Sequence, residues 1–329
     1  AGGHCQTAIS YTTSPVHTVD YYVDLVGRMA EFGADSICIK DMAGVLTPQT
    51  GYELVSRIKE KTDLPLEVHT HATSGISEMT YLKVAEAGAD IIDTCLSSFS
   101  GGTSQPATES MVLSLEELGF NTGVDMKKVE EATAHFNGIR DKFRAEGILN
   151  PKVKDTEPKT LIYQVPGGML SNLLSQLTEQ GLADKYDEVL AEVPKVRADL
   201  GYPPLVTPLS QMVGTQAVMN VISGERFKLV PKEIKDYVLG LYGQAPAEIN
   251  PEVKEKIIGD AEVVTVRPAD LIEDQLPEIR EEIKEYAKSD EDVLMYALFP
   301  QQAKDFLGRR EDPFYDVPLQ TVEVTLDLK

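Results

Sequence analysis

From residue 5 to about residue 118, short apolar, β-branched runs alternate with longer stretches whose apolar residues recur at helical spacing. The alternation repeats roughly every 25 to 30 residues. It predicts strands at 5–12, 36–41, 66–71 and 91–96, and helices at 18–32, 49–62, 76–87 and 106–118. The joins repeat as well. Ala30-Glu31-Phe32-Gly33-Ala34-Asp35 and Ala85-Glu86-Ala87-Gly88-Ala89-Asp90 each close a helix on Gly, the residue that tolerates a left-handed helix end, and lead into a strand.

Strand–helix alternation at this period calls for parallel strands joined by right-handed crossovers. An open doubly wound sheet and a (β/α)8 barrel both satisfy it. No Gly-x-Gly-x-x-Gly follows a strand, so a dinucleotide site has no support. Polar residues gather after strand ends instead, at Thr12-Thr13-Ser14, Lys40-Asp41, His69 with His71, and Ser97 through Gln105. Barrel enzymes place their chemistry at those ends. Only four strands are visible where a barrel needs eight, and Ala1-Gly2-Gly3 reads as the tail of a helix and its turn. The chain is therefore expected to be a piece of something longer.

Beyond about residue 120 the helical period dominates. A charged helix is expected at 125–146 and a polar connection at 150–168, ending in Gln164-Val165-Pro166-Gly167-Gly168. Helices follow at 169–181, 184–199, 208–222, 231–242, 275–288 and 291–308, separated by Pro and Gly. Residues 319–329 alternate like an edge strand or the start of another module. The expected organisation is a partial barrel over 1–123, a mostly helical domain over 124–318, and a linker or new module over 319–329.

Charge narrows the partners. With 31 basic and 53 acidic residues the net charge is −22, which repels phosphate backbones and argues against nucleic-acid binding. No apolar run is long enough to span a membrane and no secretory signal opens the sequence, which implies a soluble, cytoplasmic protein. Cys5, Cys38 and Cys95 are too few for a disulfide framework, and each falls in a predicted strand as a small buried hydrophobe.

The densest chemical signal is Leu66-Glu67-Val68-His69-Thr70-His71. On a strand, His69 and His71 project to one face while Thr70 points away, so two imidazoles can share one metal ion. A structural histidine pair is the alternative. Lys40 ends the preceding strand on the face of Ser36 and Cys38; burial there would favour the neutral amine, which combines with carbon dioxide to form a carbamate. Neutralisation of Lys40 by Asp41 competes with that reading. The turn Ser100-Gly101-Gly102-Thr103-Ser104-Gln105 offers two hydroxyls and an amide to a ligand, or only a helix cap. No Gly-x-Ser-x-Gly elbow is present, and His4, His17 and His135 read as surface or capping residues.

Several stretches in this order resemble the carboxyltransferase domain of biotin-dependent enzymes: the oxaloacetate decarboxylase alpha subunit, the corresponding subunit of two-subunit pyruvate carboxylase, and that of transcarboxylase. They are Ile39-Lys40-Asp41-Met42-Ala43-Gly44, His69-Thr70-His71-Ala72-Thr73-Ser74-Gly75, Ser100-Gly101-Gly102-Thr103-Ser104-Gln105-Pro106, Pro166-Gly167-Gly168-Met169 and Leu205-Val206-Thr207-Pro208. The resemblance implies an α/β fold: the C-terminal half of a (β/α)8 TIM barrel, about four βα units, followed by a helical funnel domain. It implies a divalent metal (Zn, Mn or Co) held by His69, His71 and a carboxylated Lys40. Thr103 would carry a proton between biotin and the substrate enol, with Lys40, Thr103 and Ser104 facing the cofactor. Biotin would arrive on another domain or chain, because no Ala-Met-Lys-Met attachment sequence occurs. Pyruvate or oxaloacetate would be the substrate, the assembly a homodimer, and a decarboxylase pump would add membrane partner subunits. A further metal ligand, an Asp, and the Arg and Gln that grip the substrate carboxylate would lie before residue 1, leaving this chain inactive alone. Two alternatives are a metal-dependent aldol-type lyase or acyl-CoA condensing barrel, which usually has Asp where Lys40 stands, and an inert half-barrel.

Overall fold

Four strands, β1 (Gln6–Ser10), β2 (Ser36–Asp41), β3 (Leu66–Thr70) and β4 (Ile91–Ile92), form one parallel sheet in the order β1-β2-β3-β4 in the computed structural model. Residues 2–149, 154–163, 165–166, 169, 173, 177–179 and 181–310 are described. Helices α1 (Val19–Glu31), α2 (Pro48–Lys61) and α3 (Ser77–Glu86) make the three crossovers, and α4 (Thr108–Glu117) follows β4. The first two starts have a local cause. The Thr18 side chain caps α1 by accepting from the Tyr21 amide, and Pro48 occupies the first turn of α2, where a missing N–H costs nothing.

The helices pack on one side of the sheet. Tyr22 and Val26 of α1, Leu54, Val55 and Ile58 of α2, and Tyr81 and Val84 of α3 meet Ile37, Ile39, Leu66 and Val68. Each fully buried side chain of this kind stabilises by about 1.5–3 kcal/mol, so the apolar stripe of each helix fixes which sheet face it covers. The other face carries the alternate residues. Gln6 Nε2 donates to Glu67 Oε2 at 2.9 Å and the Cys38 thiol to Glu67 Oε1 at 3.5 Å, placing Gln6, Cys38 and Glu67 together there.

Helix α5 (Met126–Ala145) leads to α6 (Lys159–Tyr163), α7 (Tyr186–Asp199), α8 (Leu209–Ser223), α9 (Lys232–Val238) and α10 (Pro251–Ile258). Helices α7 to α10 build a second core from Val189, Val193, Val196, Val213, Ala217 and Ile234 among others. The two cores share one compact unit, Ala1–Thr265. A buried arginine links them: Arg197 of α7 donates to Thr12 Oγ1 and the Thr13 carbonyl, both 2.8 Å away, and to the Pro203 carbonyl at 3.0 Å. The second unit, Val266–Lys329, has its own small core of Ile283, Val293, Tyr296, Ala303 and Leu307 on helices α11 (Leu276–Glu282), α12 (Asp290–Leu298) and α13 (Pro300–Arg309).

The structure corrects several expectations. One helix over 291–308 becomes two, because Pro300 lacks an N–H and starts a helix of its own. Helix Pro251–Ile258, opened by Pro251 after an Asn250 cap, is not among the predicted elements, and the helix expected over 275–288 ends at Glu282. The strand expected at 91–96 pairs with β3 only through Ile91 and Ile92; farther on, Cys95 bridges Ala107 instead. Of the cysteines only Cys38 is buried in a strand, while Cys5 is exposed and Cys95 intermediate. His17 is buried, not on the surface. Gln164, Gly167 and Gly168, most of the helix expected at 169–181 and all of 319–329 lie outside the described residues. None of the described helices is long and apolar enough to cross a membrane.

Candidate active site

Strand β2 ends in two residues with opposite fates. Asp41 faces the helices, is fully buried, and accepts from the amides of Val45 (3.0 Å) and Leu46 (2.8 Å) and from Thr70 Oγ1 (2.8 Å). Burial pushes its carboxyl up, and those donors pull it back towards the ionised form. Asp41 thus holds the 42–46 loop and does not neutralise Lys40. Lys40 lies on the other face, half-buried, in register with Ser10 on one side and His69 on the other. Among the described residues its side chain forms no ion pair.

His69 and His71 project to the face of Lys40, their ring centroids 5.2 Å apart and their planes at 64°. His69 Nδ1 donates to Asp93 Oδ2 at 2.7 Å, and the Gln105 amide nitrogen lies 3.4 Å from His69 Nε2. His71 is fixed from several directions. Its backbone N–H donates to the Asp41 carbonyl at 3.1 Å, and its ring hydrogen-bonds the Thr103 backbone. Gly44 has φ of +66°, and a Cβ there would strike the His71 carbonyl, so only glycine lets the loop approach so closely. Burial, then the neighbouring His69 and Lys40, lowers the His71 pKa to about 4. At neutral pH its imidazole is therefore uncharged and has a lone pair to offer.

The loop after β4 is lashed to the His71 segment. Ala72 donates to the Ser104 carbonyl at 2.7 Å and Thr73 Oγ1 to the Gly102 carbonyl at 3.1 Å. This holds Thr103 beside His71 at a cleft of about 520 Å3. Met42, His71 and Thr103 form one wall. The helical half forms the other, with Met169, Leu173 and Leu205 as apolar surface and Thr207, Ser210, Gln211 and Thr215 as polar groups. Ser104 does not line this cleft; its hydroxyl donates to Gln105 Oε1 at 3.4 Å.

Among the described residues no three His, Cys, Asp or Glu side chains converge on one point. The donors gathered here are His69, His71 and Lys40. An ammonium cannot ligate a cation, but two imidazoles with a lysine carbamate make an N/O set that suits a divalent metal.

Comparison with known proteins identifies the family and the fold. Residues 160–327 match the family described as conserved carboxylase domain, and residues 5–135 match the family described as HMGL-like. The chain belongs to the conserved carboxylase family. A pyruvate carboxylase subunit of Methanocaldococcus jannaschii is 52% identical over 309 residues, which cover 93% of this chain and 54% of that protein. The 2-oxoglutarate carboxylase large subunit of Hydrogenobacter thermophilus is 42% identical across 100% of this chain and 51% of its own length. The chain thus spans about half the length of these relatives. The carboxyl transferase domain of Rhizobium etli pyruvate carboxylase, solved with pyruvate and biocytin, superposes with a TM-score of 0.83 at 29% identity, covering 94% of this chain and 56% of that one. The half-barrel and helical part are therefore those of a carboxyltransferase domain.

Two residues at this cleft and histidine pair are not evident from the sequence pattern. Asp93 sits in Ile92-Asp93-Thr94, where the strand pattern marks it only as a polar alternate, and its bond to His69 crosses between strands. Thr207 belongs to Leu205-Val206-Thr207-Pro208, which carries the family resemblance but no assigned role; a hydroxyl just before the Pro208 turn and helix α8 is the available signal.

Proposed function

We propose that this chain forms the carboxyl-handling part of a biotin-dependent carboxyltransferase that moves a carboxyl group between carboxybiotin and pyruvate or oxaloacetate. One observation carries the reading: Lys40, His69 and His71 share the end of one sheet, beside the cleft that Thr103 lines. Family membership supports the enzyme class. The HMGL-like match alone would also suit an aldol-type barrel, but the carboxylase match over 160–327 and a lysine at position 40 favour carboxyl transfer.

The residues have separable tasks. Lys40, as its neutral amine, adds to carbon dioxide and releases a proton, ending as a carbamate across from His69. His69, His71 and that carbamate would hold a zinc, manganese or cobalt ion, which when bound supplies Lewis acidity at a developing enolate oxygen. Thr103 relays a proton between the methyl carbon of pyruvate and biotin. Met169, Leu173 and Leu205 keep the opposite wall dry, where electrostatic stabilisation is strongest. Ser104 supports Thr103 through the turn and Gln105, at a remove from the cleft.

Biotin is delivered by a carrier domain on another segment or chain, and the protein works as a homodimer in the cytoplasm, with any membrane contact made through partner subunits. By itself the chain is inactive, because the remaining metal ligand and the grip on the substrate carboxylate are supplied from outside it. In the full-length protein, with oxaloacetate and free biotin, Lys40→Ala is expected to lower turnover by about 100- to 1,000-fold. Undiminished turnover ends the carbamate assignment.

A further inference from the structure

The hydrogen bonds around His69 run in one direction. Ser104 Oγ donates to Gln105 Oε1 (3.4 Å), the Gln105 amide points at His69 Nε2 (3.4 Å), and His69 Nδ1 meets Asp93 Oδ2 (2.7 Å). An ionised carboxylate only accepts, so the proton of a neutral His69 ring belongs on Nδ1. An amide nitrogen only donates, so Nε2 facing Gln105 must be the lone-pair nitrogen. Two neighbours on different elements thus demand the same tautomer. Their distances differ in meaning. At 2.7 Å the Asp93 contact has the length of a strong charge-assisted bond, whereas 3.4 Å lies at the weak limit for Gln105.

We infer that Asp93 is a positioning residue that fixes His69 in its Nδ1–H tautomer, and that Gln105 loosely occupies the Nε2 lone pair that a metal takes. The part concerning metal rests on the proposed function; the tautomer does not. Asp93 is suited to the task because it begins where β4 ends, its N–H donating to the Val68 carbonyl one residue before His69 on the neighbouring strand (3.3 Å). Its side chain is 38% exposed, so replacing it opens no buried cavity. A carboxylate behind a ligating imidazole orients the ring and raises its basicity, and losing one commonly weakens metal binding about 10- to 100-fold.

The experiment uses the intact chain with 15N-labelled histidine, with the His69 signal assigned from a His69→Gln variant. In metal-free protein at neutral pH, long-range 1H–15N spectra should show His69 protonated on Nδ1, and Asp93→Asn should move the proton to Nε2 while Asp93→Glu keeps it on Nδ1. Zinc titration should then be about 10- to 100-fold weaker for Asp93→Asn, and at least as tight as wild type for Gln105→Ala. Nε2 protonation in the wild type, or an unchanged tautomer in Asp93→Asn with its thermal midpoint preserved, overturns the inference. If the wild-type chain takes no zinc yet shows the Asp93-dependent tautomer, the metal reading fails and the positioning role stands. Equal zinc affinity in Asp93→Asn and wild type overturns that role for the metal.

Discussion

The sheet half and the helical half meet at the same cleft but are built to different standards. On the sheet side every functional group is held by backbone: Lys40 and His69 by strand register, His71 and Thr103 by loops bonded to each other through Asp41, Gly44 and Ser104. The helical side offers apolar surface and four polar groups, Thr207, Ser210, Gln211 and Thr215, along one helix and the turn that leads into it. Under the proposed function, the contrast suits a division of labour in which one half places atoms to a fraction of an ångström and the other excludes water and admits a carrier-borne group. It also leaves one choice open to test, between Thr103 of the sheet half and Thr207 of the turn before helix α8, both of which line the cleft.

The largest effect should come from those two hydroxyls. Neither Thr103 nor Thr207 has a side-chain hydrogen bond among the described residues, and both line the cleft. Proton relay by a positioned group contributes about 100- to 10,000-fold, so Thr103→Ala in the full-length protein should lose on that order while Thr103→Ser retains most activity. If Thr207→Ala carries the loss and Thr103→Ala leaves turnover intact, the helical half supplies the proton relay and this division of labour is wrong.

Next in size is the tie between the halves. Arg197 is 3% exposed, and burial draws its pKa down to about 10, so it remains charged at neutral pH. Removing it strands Thr12 Oγ1 and the carbonyls of Thr13 and Pro203. Arg197→Met should therefore cost about 3 kcal/mol in urea unfolding, in the range for breaking a buried charged network. Tyr11, next to Thr12, donates its N–H to the Lys40 carbonyl, so the damage should reach the sheet site. A cost below about 1 kcal/mol would mean that the two halves associate by their apolar surfaces alone.

The same two halves are unequally legible in the sequence. Over residues 6–117, each strand and helix has a pattern of its own and Gly33 and Gly88 mark two of the joins, so the parallel βα units and the His69–His71 face follow from periodicity, whereas the half-barrel, as against an open doubly wound sheet, follows only from the family resemblance. What escapes there is contact across strands, such as Asp93 with His69, for which one-dimensional spacing has no signal. The strand expected through 96 stops at Ile92 because pairing, not propensity, decides a strand's length. In the second unit, period alone runs through the break at Pro300, and in the helical half it cannot show that Thr207 faces the cleft, because that depends on how helices are turned towards one another.

The smallest effect is a pH dependence that reports on both halves together. His17 is 7% exposed; its Nδ1 lies 2.7 Å from Ser14 Oγ, its ring packs edge-on to Tyr21, and Arg197 is nearby. Burial first, and the Arg197 charge second, lower its pKa from 6.5 to about 4. Between those values the unfolded chain binds a proton that the folded chain refuses, so stability rises with pH across that window. His17's contribution is therefore complete above about pH 6.5 and is lost as pH falls towards 4, amounting to about 1–3 kcal/mol. His17→Phe should flatten that part of the urea-midpoint profile. Arg197→Met should trim the loss only at its acidic end, because the arginine is the lesser of the two causes. An Arg197→Met profile that flattens as fully as that of His17→Phe would mean that the helical half's charge, and not burial within the sheet half, keeps His17 neutral.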